Sequence, residues 1–311
     1  MATNGLFNKK NIIQLVISLG LSLVILYYVF FEFIDLEKFL DTLNYVSIPL
    51  LLASDIPYLI QSLLYGYRLQ IGLNEAGISV PYRKAYWSHL FGMFWSNFAL
   101  GKLGYFAAAF PMRKHTNISD STGVISAIQS LDLVVKGTAA IIGLIFLSKI
   151  VEIKEIKLWA MTMSVGFVIV GITILAVLWF GKSVIRVENI PVLRRYFVGF
   201  MDSGYLVRGV APQILGLAIV GWFLRGLEWM LLFYACGIKL PYLTAFLLHP
   251  LLTIIRMIPF TFSGMGVLEF TLIKLFPSFP PENLVMFGLL DMVNNMFIEI
   301  ISLKELQSIK L

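Results

Sequence analysis

The stretch RMIPFTFSGMGVLEF, Arg256–Phe270, lies between two apolar runs. It holds an arginine, a proline, two glycines and a glutamate, all disfavoured in the middle of a membrane-crossing helix. The chain around it is 59% hydrophobic and 14% charged, with mean hydropathy +0.85. Soluble domains are about half apolar and a quarter charged. Repeated apolar runs near 20 residues suit the thickness of a bilayer. The sequence therefore predicts an all-α, polytopic integral membrane protein. The question is what a helix-breaking segment does inside it.

Several function classes drop out. The net charge of +6 is expected in the loops of a membrane protein, and no nucleic acid partner is implied. Cys236 is the one cysteine, so no internal disulfide can form. His89, His115 and His249 lie far apart in sequence and suggest no metal site. Motifs for zinc hydrolysis, a nucleophile elbow or a P-loop do not occur. No cofactor is expected, and no polar segment is long enough for a soluble catalytic domain. The function belongs in or at the edge of the membrane.

A first span follows Lys9-Lys10, with no cleavage pattern behind it, and reads as a retained helix. Further spans are expected at 47–66, 122–148, 158–180, 209–235 and 284–302, six in all. Two more apolar segments are broken, 85–112 at GKLG and 242–276 at PFTFSGMG. Suppose both enter and return on one side, with the N-terminus cytoplasmic. Roughly 14 lysines and arginines then fall inside and 6 outside, whereas full crossing leaves 11 against 9. The charge asymmetry favours re-entrant hairpins. The chain becomes an inverted-topology repeat, 1–155 and 156–311, each with two spans, a hairpin and a span. This is a common plan among secondary transporters. Pro259, Gly264 and Gly266 would turn the chain back inside a cell-membrane protein.

Nine ionisable residues fall within these segments: Asp55, Lys102, Asp132, Lys136, Arg225, Glu228, Arg256, Glu269 and Asp291. Each unpaired central charge costs roughly 2.5–3.5 kcal/mol, so pairing or water is required. Asp132 and Lys136 are i,i+4 neighbours, and Arg225 and Glu228 are i,i+3. Asp291 shares a helix face with Asn294 and Asn295. Arg256 and Glu269 each stand three residues from the hairpin break, at similar depth if both arms are helical. Arg256, Glu269 and the free amides near Gly264 and Gly266 are candidates for holding a lipid phosphate. Asp132, Lys136, Asp291 and Arg225 are candidates for the same path.

The pattern R-x-x-P-x-x-x-x-G-x-G-x-x-E in this stretch resembles the C-terminal signature of the lysylphosphatidylglycerol synthetase transmembrane family, a flippase-like module. In the first half, Tyr67-Arg68, Asn97, a Gly-x-x-Gly turn, Arg113-Lys114 and Asp132 follow the family's order. Family members often read P-G-R-x-G-E at the first turn, where this chain has Leu100-Gly101-Lys102-Leu103-Gly104-Tyr105. Gln129 stands where an arginine is often found, three residues before Asp132. The resemblance implies a membrane protein that moves or modifies anionic or polyprenyl-linked lipids, with a membrane lipid as substrate. Three classes stay open: a flippase or transporter, an enzyme or enzyme subunit of lipid synthesis, and a partner of a separate lipid-modifying glycosyltransferase. The lysyl transfer of the resembled proteins belongs to a soluble domain that this sequence does not contain.

Overall fold

The computed structural model describes residues 9–148, 154–181, 191–257 and 261–306, and every regular element among them is helical. Pro259 and the side chain of Lys102 lie outside the described residues, as do several of the loop charges. In order, α1 is Lys9–Phe33, α2 Leu36–Tyr45, α3 Ile48–Glu75, α4 Tyr82–Ser96, α5 Ile118–Leu147 and α6 Lys154–Phe180. Then come α7 Pro191–Leu206, α8 Ala211–Ala235, α9 Tyr242–Arg256, α10 Val267–Leu275 and α11 Pro281–Ile300. Tight 3-10 turns run over Leu100–Ala109, Pro111–Lys114, Val207–Val210 and Ile301–Glu305.

Among the described residues, five helices are long and apolar enough to cross a membrane. The bent pair Leu19–Phe33 and Leu36–Tyr45 makes a sixth if counted as one span. The bend of 99° has a local cause. Asp35 caps α2, its carboxylate accepting from the Glu37 amide at 3.0 Å. α5 is the most buried of these spans and packs against α6, α7 and α9. One hydrophobic core gathers α8, α9, α10 and α11, with Phe233 stacked on Phe287 at 3.6 Å. A second gathers α3, α4, α5 and α7.

Both broken segments fold back. α4 is followed by the Leu100–Ala109 turn, which returns along it. Gly92 lies against the Tyr105 carbonyl and Gly104 against the Trp95 carbonyl, where a side chain would collide with backbone. α9 is followed by a tip in which Ser263, Gly264 and Gly266 have φ of 50°, 79° and 84°. Left-handed backbone favours glycine at the last two. Gly264 also packs directly on Arg256, leaving no space for a β-carbon. The two tips meet. Ser263 donates to the Asn97 side-chain oxygen at 3.0 Å, Phe98 sits edge-on to Phe262 at 5.2 Å, and the Phe262 amide donates to Ser22 at 2.7 Å.

The entrances to the hairpins are built alike. GISVPYRKAYWSH at 77–89 and GIKLPYLTAFLLH at 237–249 share Gly, Ile, Pro, Tyr, Ala and His at the same places, 160 residues apart (77 against 237). The geometry repeats with them. Gly77 and Gly237 have φ of 74° and 77°. The Ile78 amide donates to the Leu73 carbonyl and the Ile238 amide to the Phe233 carbonyl, each at 2.9 Å, which closes the preceding helix in the same glycine-dependent way. Tyr82 donates to the Leu63 carbonyl at 3.0 Å and Tyr242 to the Phe223 carbonyl at 3.1 Å. Gly66 and Gly226 let α3 and α8 approach the backbones of Tyr86 and Phe246.

Membrane sidedness can be read with cysteines placed at exposed positions after Cys236 is changed to Ala. Ser79→Cys and His115→Cys should react with an impermeant maleimide from one side, and Lys239→Cys and Ser278→Cys from the other. Labelling of positions 79 and 115 from opposite sides would show that the first hairpin crosses fully.

Candidate functional site

Behind the meeting point of the tips lies a cavity of about 160 Å³, walled by α3, α4, α5, α8, α9 and α11. A cavity on the order of 150 Å³ takes up a benzene-sized guest. Its charged lining consists of Arg68, Lys136, Arg225 and Arg256 with the carboxylates Asp132 and Glu299. The rest mixes polar and aromatic side chains, among them Tyr58, Tyr65, Tyr105, Trp222, Asn97, His89 and His249, with apolar ones such as Met93, Leu133, Val135 and Met292.

On the first-half wall, Arg68 grips Asp132 with both terminal nitrogens, one bond measuring 2.8 Å. Both groups are almost fully buried. Tyr65 lies flat under the guanidinium at 3.8 Å, a favourable cation–π contact. The Arg68 Nε finds no hydrogen-bond partner among the described residues. His89 Nδ1 and the Tyr105 hydroxyl are 2.7 Å apart.

On the second-half wall, Arg225 donates from Nη1 to Glu228 and to Asn295, and from Nε to His249 Nε2 at 3.1 Å. Arg256 pairs with Asp291 and donates from Nε to the Ser263 carbonyl at 3.2 Å. Asp291 also accepts from Trp229 at 2.9 Å and Asn295 at 3.2 Å, and lies 3.6 Å from Arg225. Glu228 and Asp291 stand behind the arginines and do not line the cavity. Glu299 accepts from Tyr58 at 2.5 Å and from Asn97 at 2.7 Å, joining α11 to α3 and to the first tip.

Four of the sequence candidates therefore face one cavity: Asp132, Lys136, Arg225 and Arg256. Asp291 supports two of the arginines from behind. Gly264 and Gly266 shape the second tip. Two expected pairings turn out differently. Asp132 pairs with Arg68 of α3 and not with Lys136, because α3 continues to Glu75 and carries Arg68 deep into the protein. The expected span at 47–66 stops short of Arg68. Glu269 does not share the Arg256 guanidinium. Its carboxylate accepts from the Gly266 amide at 2.6 Å and caps α10, and Arg256 takes Asp291 instead. Arg225 with Glu228 pairs as its spacing suggests. Asp55 lies off the cavity, with one carboxylate oxygen buried and unbonded. Glu299, Tyr58 and His249 line the cavity without having been singled out as site residues. Glu299 lies near the end of the expected span at 284–302, where a charge is ordinary.

The consequence concerns Lys136. Among the described residues, Arg68, Arg225 and Arg256 each have a carboxylate within ion-pair distance, and Lys136 has none. Its ammonium meets the cavity as the one lining cation without an anionic partner there.

These pairings predict a contrast in stability. Asp132→Asn strands Arg68 and should cost about 3–5 kcal/mol, as breaking a buried pair does. Lys136→Gln should leave the melting temperature in detergent near the wild-type value, and adding it to Asp132→Asn should give no rescue. Rescue in the double variant would show that Lys136, not Arg68, is the partner.

The comparisons with known proteins agree with the membrane architecture. The chain is 28% identical over 188 residues to the UPF0104 membrane protein MJ1078 of Methanocaldococcus jannaschii, covering 58% of this chain and 78% of that protein. No solved structure matches the chain. The family described as lysylphosphatidylglycerol synthase TM region matches residues 11–301. The protein is a multi-pass membrane protein that belongs to the lysylphosphatidylglycerol synthase transmembrane-region family.

Proposed function

We propose that this protein moves an anionic lipid between leaflets, holding its head group in the cavity at the meeting point of the two hairpins. The observation that carries the reading is the buried, cation-rich lining with Lys136 unpaired. A charge left without a partner in a low-dielectric site favours an anion strongly. A family named for lysylphosphatidylglycerol synthase makes an anionic or lipid-linked phosphate the natural substrate class.

In this reading the head group docks against Lys136, with Arg68, Arg225 and Arg256 adding donors around it. Asp132 and Asp291 keep the arginines partly neutralised, so that the site binds without trapping. Gly264, Gly266 and Glu269 hold the second tip. The duplicated hairpins support two inverted repeats, 1–155 and 156–311, with the head-group site between them as in other transporters of this plan. The N-terminus lies on the cytoplasmic side of the cell membrane, the orientation that the loop charges favour.

Purified protein in phosphatidylcholine liposomes carrying fluorescent phosphatidylglycerol tests this. Wild-type protein should speed loss of fluorescence to an outside quencher. Lys136→Gln removes a charge-assisted contact and should slow transfer about tenfold or more. Transfer by wild-type protein no faster than in protein-free liposomes would remove the proposal.

A further inference from the structure

We propose that His249 binds a proton in step with the anion, so that proton and head group enter the cavity together. The inference rests on the anion-binding reading above and supplies its coupling ion.

The geometry fixes the state of the imidazole. Arg225 Nε–H can only donate, so His249 Nε2, 3.1 Å away, must accept. The ring is therefore not doubly protonated here. Its other nitrogen, Nδ1, is buried and has no hydrogen-bond partner among the described residues. The side chain lines the cavity and is 8% exposed. Trp229 packs edge-on to the ring at 4.8 Å and Thr253 Oγ1 lies 3.4 Å from Nε2, but neither contact uses Nδ1.

The surrounding charges say when it would change state. Three cations act on the ring: Arg225 of α8, Lys136 of α5 and Arg256 of α9 itself. The carboxylates Glu228 of α8 and Asp291 of α11 are engaged by Arg225 and Arg256. Glu269 of α10 is engaged in capping Gly266. The charged residues of α6 are confined to 154–157, at its start. With the cavity empty, a fourth positive charge is repelled. An anion beside Lys136 offsets its charge and lowers the cost of adding the proton. Protonation at Nε2 also releases Arg225 Nε–H, which gains a free donor for the anion. Each ligand thus favours the other, as linkage requires.

The duplicated scaffold sharpens the assignment. His89 holds the place of His249 in the first half, 160 residues earlier, but the residue equivalent to Arg225 is Tyr65. His89 bonds to Tyr105 and has no arginine to release.

The test uses glycerophosphoglycerol, a phosphodiester, because a monoester changes its own charge near pH ~6. Binding to the detergent-purified chain is measured across about pH 5 to 8, together with proton uptake from weakly buffered solution. Affinity should rise as pH falls, by up to about tenfold per pH unit, with a proton taken up on binding. His249→Gln should lose both the slope and the uptake, whatever its absolute affinity. Should that variant not fold, the NMR signal of the labelled His249 imidazole in the wild type replaces it, and a ring that stays neutral when the ligand binds overturns the proton site. Binding with a flat pH profile and no uptake overturns the proton site and leaves the anion site standing. An unchanged slope in His249→Gln overturns it as well, and absence of binding at every pH overturns both readings.

Discussion

An unpaired peptide group in hydrocarbon costs several kcal/mol, so irregular backbone survives there only against protein or trapped water. The contact between the two hairpin tips meets that requirement for both at once. Asn97 ends α4 and reaches across to Ser263, whose left-handed conformation is itself held by the contact. The same Asn97 donates to Glu299 of the last span, and the tip beside Ser263 is anchored to Ser22 of the first. Four distant parts of the chain are joined through a few hydrogen bonds around one point. The cavity lies behind that point, and its walls keep their places because the tips do.

The charges follow the same logic. Moving an ion into the interior is costly, and an ion pair offsets this only with good geometry and further hydrogen bonds. The two-pronged grip of Arg68 on Asp132, backed by Tyr65, meets that standard. Asp291 meets it by collecting Arg256, Trp229 and Asn295. The matching segments LDLVVK at 131–136 and LDMVNN at 290–295 place Lys136 and Asn295 in corresponding positions. Asn295 finds two partners within its own half, Arg225 and Asp291. Lys136 has a longer, charged side chain and no such partner, so it faces the cavity.

Apolar length made the spans legible in sequence, and the glycines of PFTFSGMG made the second hairpin legible. Helix ends were less visible. Bilayer thickness suggests where a span could stop, but α3 runs on to Glu75 and carries Arg68 with it. With Arg68 set aside as a loop residue, i,i+4 spacing made Lys136 the obvious partner for Asp132. Spacing along a helix reports shared faces and is silent about a partner 64 residues away. Glu269 was misplaced for a related reason. Equal depth on two arms is compatible with an ion pair and equally with a cap on the arm's own first turn, and the backbone of Gly266 decides between them. The duplication at 77–89 and 237–249 was open to view in the residues themselves, but only a comparison of the two halves at fixed offset would have brought it out.

On the proposed function, differences between the matched segments of the two halves let one cavity both attract an anion and let it go. If the two halves had kept identical side chains, each cation would meet an equivalent neighbour, and the cavity would hold either paired charges alone or repelling ones. Substitution at matched positions breaks that balance. Tyr65 faces one side where Arg225 faces the other, and Lys136 stands where Asn295 does. The first half keeps a cation without a partner, and the second keeps its arginines tied to carboxylates and to a histidine. On the proposed function, an anion attracted by the first half meets arginines in the second whose hydrogen bonds can be exchanged rather than created anew. A site with every cation free would hold a phosphate too tightly in low dielectric, and one with every cation paired would give it no reason to enter.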